Sequence, residues 1–298
     1  MKQAIGVDIG GGSIRVSLFD ESGNELKSNQ SKTPDHLDND SFLKTLTETI
    51  RPLLKDNIGI GVGSPGPLNS ETGILLTSAN MVGIENVPIK QTLEKEFLLP
   101  VFYENDANCA ALGEAYFGSF KGCESQLILT LGTGVGGGFV KQGVLYTGYL
   151  GNGIEIGHTT SVIGGALCGC GARGCVESYF STRGFLNRYF ESTNTKLPHA
   201  ESFFELVRKE DQVAKEILHF GTLALAHAVR GAIHLLNPEA VVFVGGITNS
   251  YDLFGEQLEK EIRSNIFPIL NERLKLGKGR NLSGTLGAAS LVFANKKV

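Results

Sequence analysis

Two glycine-rich turns, each set between β-rich runs, constrain this chain more than any other feature. The first lies in Gly6-Val7-Asp8-Ile9-Gly10-Gly11-Gly12-Ser13-Ile14-Arg15-Val16-Ser17, and the second is Gly132-Thr133-Gly134-Val135-Gly136-Gly137-Gly138. A single bend of this kind is what any tight hairpin needs, because glycine accepts positive φ without steric cost. Two of them in strand–turn–strand context point to a duplicated architecture. Dinucleotide and Walker loops are excluded, since both need the glycines to open a helix, and Ile14-Arg15-Val16-Ser17-Leu18-Phe19 is β-branched and aromatic. Asp8 ends the first strand pattern with no basic partner beside it. A carboxylate in that position calls for a cation or water.

The pattern predicts strands over 4–9, 14–19 and 25–30, then a helix over 41–54 with Phe42, Leu46, Ile50, Leu53 and Leu54 on one face. A strand over 58–63 ends in the rigid bend Ser64-Pro65-Gly66-Pro67. A helix started by Pro88, a strand over 101–103 and a helix over 106–117 follow. The second half begins with a strand over 126–131 and carries a glycine- and cysteine-rich segment over 148–174. Helices are expected over 178–189, 203–209 and 213–236, then a buried strand over 241–244 ended by Gly245-Gly246, and an apolar helix over 285–295. This is a mixed α/β chain, with ligands expected at the carboxyl ends of the strands. At 298 residues it is long enough for two domains of roughly 100–200 residues each.

A net charge of −4 argues against nucleic acid as a partner. No apolar run approaches the roughly 20 residues of a membrane span. Met1-Lys2-Gln3 leads straight into a strand pattern, so no secretory leader is expected and a cytoplasmic location is. Five cysteines form no even disulfide set. Three of them crowd into Cys168-Gly169-Cys170-Gly171-Ala172-Arg173-Gly174-Cys175, where the glycines let the backbone curl all three thiols toward one tetrahedral ion. His158 lies just upstream and is the expected fourth ligand, giving a structural Zn²⁺ site of His158, Cys168, Cys170 and Cys175. Glu155 and Glu177 flank this loop, which suggests that both face one hydroxyl-rich ligand. At a strand end, Glu104-Asn105-Asp106-Ala107-Asn108 carries four polar side chains where a helix cap needs one.

With these motifs in this order the chain resembles the ROK family of sugar kinases, over nearly its whole length. The carrying residues are Asp8 to Arg15, Gly63 to Pro67, Glu104 to Asn108, Leu131 to Gly138, Glu155-Ile156-Gly157-His158 and Cys168 to Glu177. The resemblance implies a two-domain actin-like (RNase H-like) ATPase fold, with nucleotide and sugar in the interdomain cleft and the zinc loop in the second domain. The first domain would span 1–118, completed by the C-terminal helix 285–298, and the second 119–284. Gly10, Gly11, Gly12 and Ser13, with Gly132, Thr133 and Gly134, would be two phosphate loops for ATP. Asp8 would orient Mg²⁺, and Gly245 and Gly246 would border the adenosine.

By the same resemblance the sugar would be held by Asn80, Asn105, Asp106, Glu155, His158 and Glu177, with Asp106 the general base for its 6-hydroxyl. The implied activity is a glucokinase. Kinases for N-acetylmannosamine, N-acetylglucosamine, fructose, allose or a β-glucoside are alternatives, as is a non-catalytic sugar sensor. The family's repressors carry an N-terminal helix-turn-helix, which a phosphate-loop strand beginning by Ala4 argues against. A homodimer or homotetramer is implied. The chain departs from the family pattern at Gly12, where threonine is usual, at Ile154, where glycine commonly precedes the glutamate, and at Ile84, where glucokinases often have tryptophan.

Overall fold

The computed structural model describes residues 2–33, 38–77, 81, 83–151 and 153–295, so Asn80 lies outside the described residues. The chain folds into two units: residues 1–122 with 138–153 and 282–298, and residues 123–137 with 154–281.

The first unit opens with strands β1 (Gln3–Ile9), β2 (Ser13–Asp20) and β3 (Glu25–Lys32), then helix α1 (Asn39–Ile50) and strand β4 (Asn57–Ser64). Three two-residue strands, β5 (Leu68–Asn69), β6 (Ile74–Leu75) and β7 (Val87–Pro88), form a small sheet of their own. Helix α2 (Ile89–Phe97), strand β8 (Val101–Asn105) and helix α3 (Asp106–Phe117) follow. The main sheet has the order β3-β2-β1-β4-β8, antiparallel among the first three strands and parallel from β1 through β4 to β8. Parallel pairing needs a crossover, which helices supply. Helix α1 starts on a capping box, with the Asp38 side chain accepting from the Ser41 N–H, and buries Phe42, Leu46 and Ile50 completely. Burial of each such side chain stabilises the fold by about 1.5–3 kcal/mol.

The second half brings strands β9 (Ser125–Leu131), β10 (Val135–Lys141) and β11 (Val144–Tyr146), and helices α4 (Thr182–Thr193), α5 (Ala200–Arg208) and α6 (Gln212–Leu236). Strand β12 (Ala240–Val244), helices α7 (Gly255–Ser264) and α8 (Pro268–Asn271) and strand β13 (Lys275–Lys278) complete it. Its sheet has the order β11-β10-β9-β12-β13, with β9, β12 and β13 parallel. Counted within itself, each sheet reads 3-2-1-4-5, the duplication that the paired glycine turns foreshadow. Several stretches differ from the expectation: the helix expected over 41–54 is Asn39–Ile50 followed by a 3₁₀ turn, that expected over 203–209 is Ala200–Arg208, and the small β5–β7 sheet is unannounced. The helix expected from residue 178 begins at Thr182, because the Ser181 Oγ accepts the Gly184 N–H at 2.9 Å and fixes the start there. The elements α7, α8 and β13 are additions that the sequence pattern does not announce. Strand β13 is four residues of Lys-Leu-Gly-Lys, with no alternation to mark it, and exists by pairing to β12.

The last helix, α9 (Gly284–Ala294), belongs to the first unit and packs on β1, β4 and α3. Its approach is close enough that a Cβ on Gly6 would overlap the Thr285 carbonyl oxygen, and one on Gly61 the Ala288 carbonyl oxygen. Against α3, a Cβ on Gly113 would come within 3.0 Å of the Gly287 Cα. The helix answers with small residues of its own, Gly284, Gly287, Ala288 and Ala289. Among the described residues no helix is long and apolar enough to cross a membrane.

Gly61→Ala is expected to destabilise the chain by about 1–3 kcal/mol, because the overlap is with main chain that cannot rotate away. Gly231→Ala, on an exposed stretch of α6 with open space around the new Cβ, should instead stabilise by about 0.5–1 kcal/mol. Thermal melts of the two variants check the pair.

Candidate functional site

The turn between β1 and β2 is closed by the Gly10 N–H donating to the Ser13 carbonyl at 2.9 Å, and is held by Thr33, the residue after β3, whose Oγ1 donates to the Gly10 carbonyl at 2.9 Å. None of Gly10, Gly11 and Gly12 has positive φ, and neither do Gly132 and Gly134. The conformational reason expected for these glycines therefore does not apply. Nor does crowding require glycine at two of them: a Cβ added to Gly12 or to Gly132 would meet nothing within 4 Å. Bare backbone facing open space lets an anion come close to main-chain N–H groups.

Asp8 is half-buried at the end of β1. Burial raises its carboxyl pKa, and the charge of Arg15 opposes that rise. Along the sequence Asp8 has no basic neighbour. The β1–β2 register supplies one, pairing Asp8 with Arg15 across the strands. A Cβ on Gly284 at the start of α9 would stand 2.5 Å from Asp8 Oδ2, so only glycine leaves room for this carboxylate. A partly desolvated carboxylate with one cation across the strands suits a further positive charge such as Mg²⁺.

At the β8–α3 junction the four polar side chains separate by role. Glu104 and Asn108 turn inward: Glu104 Oε1 accepts the Asn105 N–H at 2.9 Å and the Asn108 amide at 3.1 Å, and both residues are buried. Burial raises the Glu104 pKa, and these two hydrogen bonds oppose it. Asn105 is the helix cap, its Oδ1 accepting the Ala107 N–H at 2.9 Å. Of the four, Asp106 alone is exposed, at the first position of α3. Asp106 shares the helix start, its Oδ1 accepting the Ala107 N–H at 2.8 Å, and it differs from the other three in that its side chain is exposed.

In the second unit the β9–β10 turn meets Glu177, whose Oε2 accepts the Val135 N–H at 3.0 Å. Gly245 has φ 100°, and a Cβ there would overlap the Leu131 carbonyl, so this position is closed to other residues. Two residues that sequence reasoning missed lock it. The Asn281 Oδ1 accepts the Gly245 N–H at 2.7 Å, and the Asn281 amide donates at 2.8 Å to Thr248, which itself bonds the Gly245 carbonyl. No sequence pattern links a lone asparagine to a turn so far upstream. Ile154, one of the family departures, has φ 62°. That is a strained conformation for a β-branched residue and explains why glycine is usual before the exposed Glu155.

His158, Cys168, Cys170 and Cys175 present four ligand atoms that all lie within 4.8 Å of one another. With bonds of about 2.3 Å to sulfur and 2.0–2.1 Å to nitrogen, tetrahedral zinc holds two thiolates roughly 3.8 Å apart, and a thiolate and an imidazole nitrogen roughly 3.6 Å apart. The Cys170–Cys175 sulfurs are 3.7 Å apart, and Cys168 Sγ is 3.6 Å from His158 Nδ1. The donor set fits Zn²⁺ with no position open, and it leaves His158 Nε2 turned away from the metal.

Residues 4–295 match the family model described as "ROK family", and the chain belongs to that family. It is 35% identical to the glucokinase of Thermotoga maritima, over 97% of this chain and 96% of that protein. To the N-acetyl-D-glucosamine kinase of Yersinia pseudotuberculosis it is 30% identical, over 98% and 99%. The ROK hexokinase of Thermus thermophilus superposes with a TM-score of 0.86 at 29% identity, covering 98% of each chain. A ROK glucokinase from Streptomyces griseus, solved with glucose and AMPPNP, gives 0.79 at 26% identity, over 99% of this chain and 100% of that one. The actin-like ATPase fold expected from the sequence is the fold of these structures.

Metal analysis of protein purified without a polyhistidine tag should find about one zinc per chain, since the set has a full complement of ligands; Cys170→Ser should lose most of it. For Asp8 the sign is unusual. A folded pKa above the ordinary 3.8 means that its stabilising contribution is complete below that pH and disappears as pH rises through the folded value. At neutral pH the ionised carboxylate is a cost. Asp8→Asn should therefore melt no lower than the parent at pH 7 without ligands, a result that differential scanning calorimetry would give directly.

Proposed function

We propose that this chain is an ATP-dependent hexose kinase that phosphorylates the 6-hydroxyl of its sugar, with glucose as the preferred substrate. The observation that carries this reading is the outward carboxylate of Asp106 on a junction whose other polar side chains turn inward or cap the helix, in a chain 35% identical to a glucokinase over 97% of its length.

Asp106 accepts the proton from the attacking hydroxyl. General bases of this kind contribute about 10²–10⁴-fold, the larger share in phosphoryl transfer coming from positioning and charge neutralisation. Asn105, Glu155, His158 and Glu177 hold the sugar hydroxyls, His158 through the Nε2 that the metal leaves free. The turns at Gly10 to Ser13 and at Gly132 to Gly134 offer main-chain N–H groups to the nucleotide phosphates. Gly245 and Gly246 border the adenosine, where the Asn281 and Thr248 bonds keep the backbone fixed. Asp8 would hold Mg²⁺, which supplies charge neutralisation on the phosphates when bound. The zinc set is structural, and its binding energy, on the order of 10 kcal/mol, orders the loop carrying His158 and Glu177.

A coupled ADP-release assay with Mg-ATP against hexoses, amino sugars and β-glucosides should give its highest kcat/KM on glucose. Faster turnover of N-acetylglucosamine would move the chain toward its other relative's activity, and no turnover on any sugar would remove the kinase reading. Asp106→Asn is expected to lower kcat at least about 100-fold, with sugar affinity by calorimetry kept within about tenfold.

A further inference from the structure

The zinc loop is tied to the second glycine turn by more than proximity. From Cys175 the chain runs through a single 3₁₀ turn, Val176–Ser178, to the start of α4. Glu177 lies on that turn, and its Oε2 accepts the Val135 N–H at 3.0 Å, immediately after Gly134. The other oxygen, Oε1, accepts from Arg183 at 3.2 Å, which fixes the carboxylate plane although an exposed ion pair of this kind adds little energy by itself. Five residues beyond Glu177, the Thr182 N–H donates to the Gly132 carbonyl at 2.9 Å. The same short segment therefore grips the turn on both sides of Thr133.

Gly134 is shaped by this grip. It has no positive φ that would demand glycine, yet a Cβ there would overlap Glu177 Oε2 and nothing else as closely. The carboxylate occupies the space a side chain would take. At the segment's other end, Cys175 is a ligand of the zinc set and is fully buried.

We propose that Glu177 is a positioning residue for the second phosphate turn, and that zinc acts through it on nucleotide affinity as well as on the sugar side. Zinc holds Cys175, the 3₁₀ turn carries Glu177, and the carboxylate holds the Val135 N–H. The turn's remaining main-chain N–H groups are thereby set in place for phosphate oxygens before nucleotide arrives, which saves the ordering cost at binding. Each carboxylate oxygen accepts at two sites, so Glu177 keeps capacity for a sugar hydroxyl while bonded to Val135. One side chain then serves both substrates. This inference rests on the kinase reading for the identity of the turn's ligand.

The test is Mg-AMPPNP affinity by calorimetry with no sugar present, so that a lost sugar contact cannot contribute. Glu177→Ala should weaken binding about tenfold, the scale of a lost hydrogen bond to a charged group. Glu177→Gln, which keeps an oxygen for Val135, should recover most of that loss. Gly134→Ala, whose methyl group points at Glu177, should weaken binding in the parent but cost nothing further on a Glu177→Ala background, because the obstacle is then gone. Zinc-depleted protein, still folded by circular dichroism, should match Glu177→Ala.

Unchanged nucleotide affinity in Glu177→Ala, or additive losses in the double variant, would overturn the proposal and leave Glu177 as a sugar ligand only. Should Glu177→Ala not fold, Gly134→Ala and zinc depletion decide the matter, and unchanged affinity in both would overturn it. A parent chain that binds no Mg-AMPPNP at all would instead overturn the kinase reading beneath it.

Discussion

The first unit depends on one close approach, the seating of α9 directly on the glycine face of β1 and β4. Gly6 and Gly61 carry no Cβ, so the helix backbone at Thr285 and Ala288 lies against the sheet backbone where side chains would normally intervene. Close packing of this kind gains dispersion energy over a long surface and tolerates no added methyl group. It also explains the composition of α9. A helix packed against both a sheet and α3 can be apolar on all sides, and its small residues face the closest approaches. The same seating places Gly284 against the Asp8 carboxylate, so a packing constraint sets the surroundings of a charged residue at the strand end.

The polar groups follow a comparable economy in both units. At the β8–α3 junction Glu104 and Asn108 bond one another inside, and Asn105 closes the helix end, which leaves Asp106 presented on a rigid platform. In the second unit Glu177 does for the β9–β10 turn what Thr33 does for the β1–β2 turn, accepting or donating to main chain next to a glycine. Turns with bare backbone are held from one side by a neighbouring polar side chain. Gly245 is treated alike, with Asn281 and Thr248 as its supports.

Much of this was legible in the sequence because it depends on local chemistry. Three cysteines spaced by glycines, with a histidine upstream, announce a tetrahedral metal set whatever the rest of the chain does, and the four ligand atoms do converge. Strands with β-branched runs and helices with apolar residues at helical spacing, such as Phe42, Leu46 and Ile50, form where the pattern puts them. What was not legible depends on strand register and on residues far apart in the chain. The Asp8–Arg15 pairing needs a strand register, β13 needs β12 as a template, and the reason for Gly134 is a glutamate more than forty positions away. The turn glycines Gly10, Gly11, Gly12, Gly132 and Gly134 lack the positive φ that an ordinary tight hairpin would use, and at Gly134 a neighbouring carboxylate takes the space of a side chain.

The sequence by itself determined the class of fold, the repeated strand–turn–strand units and the clustering of three cysteines with His158, because periodicity, turn chemistry and side-chain spacing act within a few residues. Only the tertiary structure decided which acids face outward, which glycines are there for space and which for conformation, and how the zinc loop reaches the second turn. Those outcomes depend on which main-chain N–H and carbonyl groups meet which distant side chains. Hydrogen bonding is directional and short in reach, so a one-dimensional pattern cannot state its partners before the chain is folded.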